Sequence, residues 1–199
     1  MIAITSVVAI ACCVLFNLSF RIPTHSPNTK AIAKVQLLPW SPVLNLKQTG
    51  SDCGSYSTMA FLYAVKQEVI DPKTINAKIS AKTKEGTQPW GITSYLLGHG
   101  VVAKAYWLGF REDKFRLNWI KEKIANGFPV ILLVGDGQGL HYITILGYSD
   151  THFYIFDSNA DGVAANQTAG NVTMPYDKLL DWWKSAAYRS IRTYLAISQ

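Results

Sequence analysis

Hydrophobic positions along the chain change their spacing twice, which divides it into an apolar head, a helical half and a strand-rich half. From Ile2 to Phe20 no charged side chain breaks a run dominated by Ile, Val, Ala, Leu and Phe. Such a run is long enough to span a bilayer and also resembles the apolar core of a secretory signal. Both readings stay open. No Lys or Arg precedes the run, and cleavage after Ala9-Ile10-Ala11 would leave a very short apolar core. That cleavage would expose Cys12 for lipidation, although Ala9 is a poor match to the branched residue usual there. Arg21, Lys30 and Lys34 follow the run, and positive charge tends to stay on the cytoplasmic side. The head therefore reads as a signal peptide or membrane anchor over residues 1–20. The expected location is exported or membrane-anchored, with orientation open.

Residues 21–42 are polar and then punctuated by proline, as in a linker, although Val35 to Pro39 can open the fold as a short strand. The remaining residues, 43–199, read as one domain. From Cys53 to Ile70, Tyr56, Met59, Ala60, Tyr63 and Ala64 recur at helical spacing, and Asp71-Pro72 is expected to end that helix. Further helices are expected over Lys73 to Lys84 and over Trp90 to Leu97, before the Gly98-His99-Gly100 break. The spacing then alternates. Val101 to Leu108 reads as a strand, Lys114 to Ala125 as an amphipathic helix stopped by Asn126-Gly127, and Phe128 to Val134 as a buried strand. Leu140 to Tyr148 and His152 to Phe156, joined by Ser149-Asp150-Thr151, read as a hairpin. A loop with Gly162, Gly170 and Pro175, a brief helix from Tyr176 to Trp183, and a last strand from Ser190 to Ile197 complete the chain. Helices first and antiparallel strands second predict an α+β domain.

Composition adds mainly exclusions. Of the 199 residues 49% are hydrophobic and 16% charged, enough apolar surface for a real core. The net charge of +6 comes from scattered lysines. The densest group, Lys66 to Lys84, is broken by Glu68 and Asp71 and lacks aromatic interleaving, so it reads as a solvated face and not a nucleic-acid surface. Three cysteines, two of them in the apolar head, give neither a disulfide framework nor a zinc spacing.

That leaves Cys53, after the Gly/Ser-containing turn Gly50-Ser51-Asp52. A helix N-terminus carries partial positive charge that favours a thiolate. Asp52 fits an N-cap, and Gly54 lets a substrate approach the backbone. On position alone, a small buried hydrophobe explains Cys53 as well. His141 opens a strand after the flexible stretch Gly135 to Leu140, and taken alone reads as structural. Asp157 ends the next strand, so the hairpin sets it beside His141, where a carboxylate can orient the ring. Asn159 is the alternative orienter. Gln48, five residues before the thiol, can donate an amide N–H to an oxyanion. Asp157 to Gly162 also matches the first half of a calcium loop, but Thr168 stands where a bidentate Glu belongs, and an ordinary polar turn explains it better.

With Gln48, Cys53-Gly54, His141 and Asp157 in this order, the chain resembles the papain-like cysteine peptidases. It looks most like stand-alone relatives of the bacteriocin-processing, double-glycine leader peptidase family (C39-like). Gly86-Thr87, Ile124 to Val130, His141-Tyr142, Gly147-Tyr148 and a late helix from Tyr176-Asp177 to Trp182-Trp183 also fit. Together these span Leu44 to Ile197. The resemblance implies a papain-like fold and thiol-dependent cleavage of peptide bonds by Cys53, His141, Asp157 and Gln48. It also implies no metal or organic cofactor, and a peptide or protein as the partner. Two departures stand out. Ser55-Tyr56 follows Cys-Gly where a small residue or proline is usual, bringing a large ring near the groove, and Asp157-Ser158 replaces the usual Asp-Pro. Cleavage after paired glycines is not assumed, because these residues contain no ATP-binding or multi-span region of the transporter-linked members. An acyl transferase using the same thioester chemistry and a silent peptide-binding module are the rival functions.

Overall fold

The computed structural model describes residues 33–84, 86–135, 139–160, 169–188 and 191–199. The apolar head, most of the expected linker and the second half of the calcium-like loop lie outside the described residues. Among those described, no helix is long and apolar enough to cross a membrane.

The sheet grows from the continuous apolar run after Pro129. Val130–Gly135 (β5) is buried at every position, as expected of a central strand covered on both faces. Leu140–Tyr148 (β6) pairs antiparallel with it from Val130↔Ile145 to Gly135↔Leu140, and is buried from His141 to Tyr148. His152–Phe156 (β7) follows through the predicted turn and continues the antiparallel pairing, with a bulge between Ile145 and Gly147. Val172–Pro175 (β8) lies beyond β7. On the other side, Leu195–Ser198 (β11) sits between β5 and Lys104–Trp107 (β4). Gln36–Leu37 (β1) pairs with the end of β6, where that strand runs past β5. Among the described residues this gives a seven-stranded antiparallel sheet in the order β4-β11-β5-β6-β7-β8, with β1 on β6.

Close approach of β1 depends on the lack of a side chain at Gly147. A Cβ there would stand 2.7 Å from Leu37 Cδ2 and 2.8 Å from the Gln36 carbonyl oxygen. The segment after β1 is held by the Leu38 N–H on the Leu146 carbonyl at 2.8 Å, and Trp40 packs against Tyr63 and Phe156.

Cys53–Lys66 (α1) packs on β6 and is the most buried helix, with every residue from Cys53 to Leu62 inside. Its small polar side chains tolerate this because they have partners. Thr58 Oγ1 donates to the Gly54 carbonyl at 2.7 Å, and Thr144 Oγ1 of β6 donates to the Ser57 carbonyl at 3.3 Å. The second contact ties helix to sheet.

Several boundaries differ from expectation. The helix α1 ends at Lys66, because Gln67 turns left-handed (φ 56°) and caps back onto the Tyr63 carbonyl. Asp71-Pro72 does not end it. These residues start Pro72–Lys78 (α2), where proline needs no N–H and the Asp71 carboxylate accepts from the Lys73 N–H. The helix expected to Lys84 therefore stops early. Ile79 is extended, and Lys82–Thr83 (β2) and Gly86–Thr87 (β3) form a small hairpin instead. Pro89–Gly98 (α3), Asp113–Ala125 (α4) and Tyr176–Ser185 (α5) match their expected positions within two residues. The final strand is split: Ala187–Tyr188 (β9) pairs with Ile191–Arg192 (β10), and only Leu195–Ser198 joins the main sheet. The α+β expectation holds.

Replacing Gly147 with Val should push β1 off the sheet. The expected loss in urea unfolding is about 1–3 kcal/mol, the usual cost of overpacking. A variant within about 0.5 kcal/mol of the parent, the range of neutral surface changes, would show that β1 adds nothing to the fold.

Candidate active site

The start of α1, the start of β6 and the end of β7 converge on three side chains. Cys53 is the first residue of α1 and is buried, as are His141 and Asp157. His141 Nε2 lies 2.7 Å from Asp157 Oδ1, so the hairpin brings these two together as expected. In the β6–β7 register Thr144 faces Phe156. One further step sets Asp157 opposite Ile143, on the face His141 shares, which makes the pair diagonal neighbours. With Nε2 engaged by the carboxylate, Nδ1 is the ring nitrogen left for the Cys53 thiol, which also hydrogen-bonds His141.

Opposing effects set the charge of this imidazole. Burial disfavours the cation and is the largest single influence. The hydrogen bonds and charges of Asp157 and Cys53 together outweigh it, raising the His141 pKa from the usual 6.5 to about 9. The folded protein therefore favours the protonated ring.

Asp157 is itself fixed from two sides. The Asn159 backbone N–H donates to Oδ1 at 2.8 Å, so Asn159, the alternative orienter, contributes its main chain. Asn171 grips the backbone of Asp157: its Oδ1 accepts from the Asp157 N–H and its Nδ2 donates to the Asp157 carbonyl, both at 2.8 Å. Sequence reasoning did not find Asn171, which lies 14 residues downstream of Asp157. Trp182 of α5 was noted only as part of a motif; its ring lies over His141, with centroids 6.3 Å apart and planes tilted by 31°.

Gln48 stands on the loop before the thiol and is joined to the sheet side of the site. Its backbone N–H donates to the Ser158 carbonyl at 2.7 Å, and its Oε1 accepts from Ser158 Oγ at 2.6 Å. Tyr56, expected near the groove, is instead buried. Its hydroxyl donates to the Lys47 carbonyl at 3.2 Å, so the ring anchors the loop carrying Gln48. Asp52 occupies the N-cap position, but its carboxylate makes no cap bond. It accepts from Asn76 Nδ2 of α2 at 2.8 Å, and its backbone carbonyl accepts from the Ser55 N–H. On the other flank, a Cβ on Gly54 would meet Thr87 Cβ at 2.9 Å, so glycine lets β3 close against the first turn of α1.

A helical part that carries a buried cysteine at a helix start, packed on an antiparallel sheet that carries the His–Asp pair, has the architecture of a papain-like cysteine peptidase. The sequence matches the model of the Peptidase_C39 like family over residues 41–191, and the chain belongs to that family. The fold is also that of solved relatives. A C39-like peptidase of Bacillus anthracis superposes with a TM-score of 0.55 at 14% identity, covering 82% of this chain and 96% of the other. A double-glycine-motif protease from an AMS/PCAT transporter, solved with its leader peptide, gives 0.53 at 18% identity, covering 85% and 93%. The peptidase domain of Streptococcus ComA, a bifunctional ABC transporter of a quorum-sensing pathway, gives 0.51 at 15%, covering 81% and 95%. A comparison with curated protein sequences finds no match.

Because the folded protein holds His141 at about 9, above the unfolded value of 6.5, the ring contributes stability fully below pH 6.5. That contribution falls away as the pH rises through about 9. Ring-resonance NMR should give a midpoint near 9, and Asp157→Asn should lower it. A wild-type midpoint at 6.5 would remove Asp157 and Cys53 as the source of the shift.

Proposed function

We propose that the chain is a cysteine peptidase that hydrolyses peptide bonds through Cys53, His141, Asp157 and Gln48. The observation that carries this reading is the set gathered at the start of α1: His141 hydrogen-bonded to Asp157 at 2.7 Å, with the Cys53 thiol acting on the same ring. Family membership supports the same chemistry.

In the proposed cycle the Cys53 proton already resides on His141, so the resting pair is a thiolate and an imidazolium that Asp157 steadies. The thiolate forms an S–C bond to the substrate carbonyl, whose π electrons move onto oxygen. Gln48 Nε2 and the Cys53 backbone N–H are the assigned donors to that oxyanion. Collapse breaks the C–N bond, and the imidazolium gives its proton to the departing amine. Water then adds to the thioester, passing one proton to His141. Breaking the S–C bond releases the acid and restores the resting pair.

The substrate in this reading is a peptide or protein. The solved transporter-derived relative holds a leader peptide, which supports a groove able to take an extended chain. The uncharged run from Ile2 to Phe20 supports export or membrane anchoring as the setting.

Iodoacetamide should alkylate Cys53 faster than a free thiol at mildly acidic pH, and His141→Ala should abolish the advantage. Equal rates in both proteins would break the thiolate–imidazole assignment. Peptide profiling should show cleavage by the parent and none by Cys53→Ala. With an added amine nucleophile, hydrolysis should dominate; products formed mainly by aminolysis would instead make the protein a transferase.

A further inference from the structure

The residue after Asp157 has a role that neither the triad nor the family match assigns. Ser158 is almost wholly buried, at 1% exposure, and is bonded to Gln48, which lies 110 residues earlier, by both its main chain and its side chain. The Ser158 carbonyl accepts from the Gln48 N–H at 2.7 Å, which fixes the loop. Ser158 Oγ donates to Gln48 Oε1 at 2.6 Å, which fixes which way round the amide sits. With Oε1 held, Nε2 must point the other way, toward the turn before Cys53, where it donates one proton to the Gly50 carbonyl at 2.9 Å. An amide nitrogen carries two protons. The second has no partner among the described residues.

We propose that Ser158 is a positioning residue that locks the Gln48 amide with Nε2 facing the reaction centre, leaving one N–H for the oxyanion. The inference rests on the peptidase reading and deepens it. Alanine at position 158 would keep the carbonyl that holds the loop and remove only the hydroxyl that orients the amide. The amide would then be held only by its Nε2 bond to the Gly50 carbonyl, and its oxygen would face the developing negative charge for part of the time. The loss belongs to the transition state, so it appears in kcat and not in KM.

The probe is N-acetylglycine p-nitrophenyl ester, with iodoacetamide alkylation of Cys53 as the control, because alkylation creates no oxyanion. In Ser158→Ala, kcat on the ester should fall about 10-fold, less than the 10²–10³-fold typical when an oxyanion donor is removed outright. KM and the alkylation rate should stay at wild-type values. Gln48→Ala should fall further, and the Gln48→Ala/Ser158→Ala double variant should be no slower than Gln48→Ala alone, since the hydroxyl acts only through the amide. Independent, multiplying losses would overturn the proposal, as would a slowed alkylation that places the effect on Asp157 and His141. A second measurement needs neither turnover nor a stable variant. 15N relaxation of the Gln48 side-chain amide in the wild-type protein should show it as rigid as the neighbouring backbone, and a freely rotating amide overturns the proposal. If the wild-type protein fails to hydrolyse the ester while its Gln48 amide is rigid, the peptidase reading is at fault and not the holding of the amide.

Discussion

The 2.7 Å hydrogen bond between His141 and Asp157 is the contact on which the candidate site depends, and it sets two requirements for the rest of the molecule. Both groups are buried, and burial alone disfavours the protonated imidazole. The carboxylate must therefore lie close and keep its orientation, which places the demand on the β6–β7 register. That register is secured by contacts on both strands and beyond them. Hairpin pairing runs through Thr144↔Phe156, β8 covers the outer edge of β7, and Asn171 holds the Asp157 main chain from both sides. Each of these contacts keeps a carboxylate in a place from which desolvation would otherwise expel it.

The cysteine wall answers to a different physics. The helix α1 is buried on nearly every side, so the apolar spacing of Tyr56, Met59, Ala60, Tyr63 and Ala64 marks only part of its buried surface. It uses small residues that let neighbours approach closely, with the Thr58 hydroxyl on the Gly54 carbonyl and the Ser55 hydroxyl on the Asn76 side chain. Gly54 takes this furthest, giving up its side chain so that Thr87 can rest against the first turn. Cys53 thus sits at the end of a helix fixed by α2 through the Asp52–Asn76 bond, by β3, and by β6 through Thr144.

These different demands explain which parts of the molecule were legible in the sequence. The hairpin was, because a strand–turn–strand pattern of local pairing carries its own register, and with it the meeting of His141 and Asp157. The buried strand β5 and the helices α3, α4 and α5 were legible for the same reason, as local spacing and local stop signals. Features settled by distant partners were not. The αL turn at Gln67 ends α1 with no proline or glycine to announce it. The β2–β3 hairpin displaces the end of an expected helix because it must cover α1. Tyr56 looks like a groove residue beside Cys53, yet its hydroxyl reaches back to Lys47 and its ring joins the core. Asn171 and the contact made by Ser158 were invisible because an amide or hydroxyl in a loop has no signature until the chain brings its partner alongside. Where Asp52 was expected to cap its own helix, the amide of Asn76 takes the carboxylate instead.

The three residues 157–159 hold both halves of the proposed machinery at once. Asp157 steadies the base, the Asn159 N–H steadies Asp157, and Ser158 between them holds Gln48 by two bonds. The loop that bears Gln48 leads directly into Cys53, so the nucleophile's wall and the base's wall meet across this one strand end. A displacement of the segment would carry the Asp157 carboxylate and the Gln48 loop together. A site assembled from a loop, a helix start and two strands can hold its relative geometry in this way without a rigid connection between every pair. Serine after Asp157 makes that coupling a matter of side-chain chemistry as well as backbone. The proline usual at that position in relatives could retain the carbonyl bond to the Gln48 loop but has no hydroxyl to orient the amide.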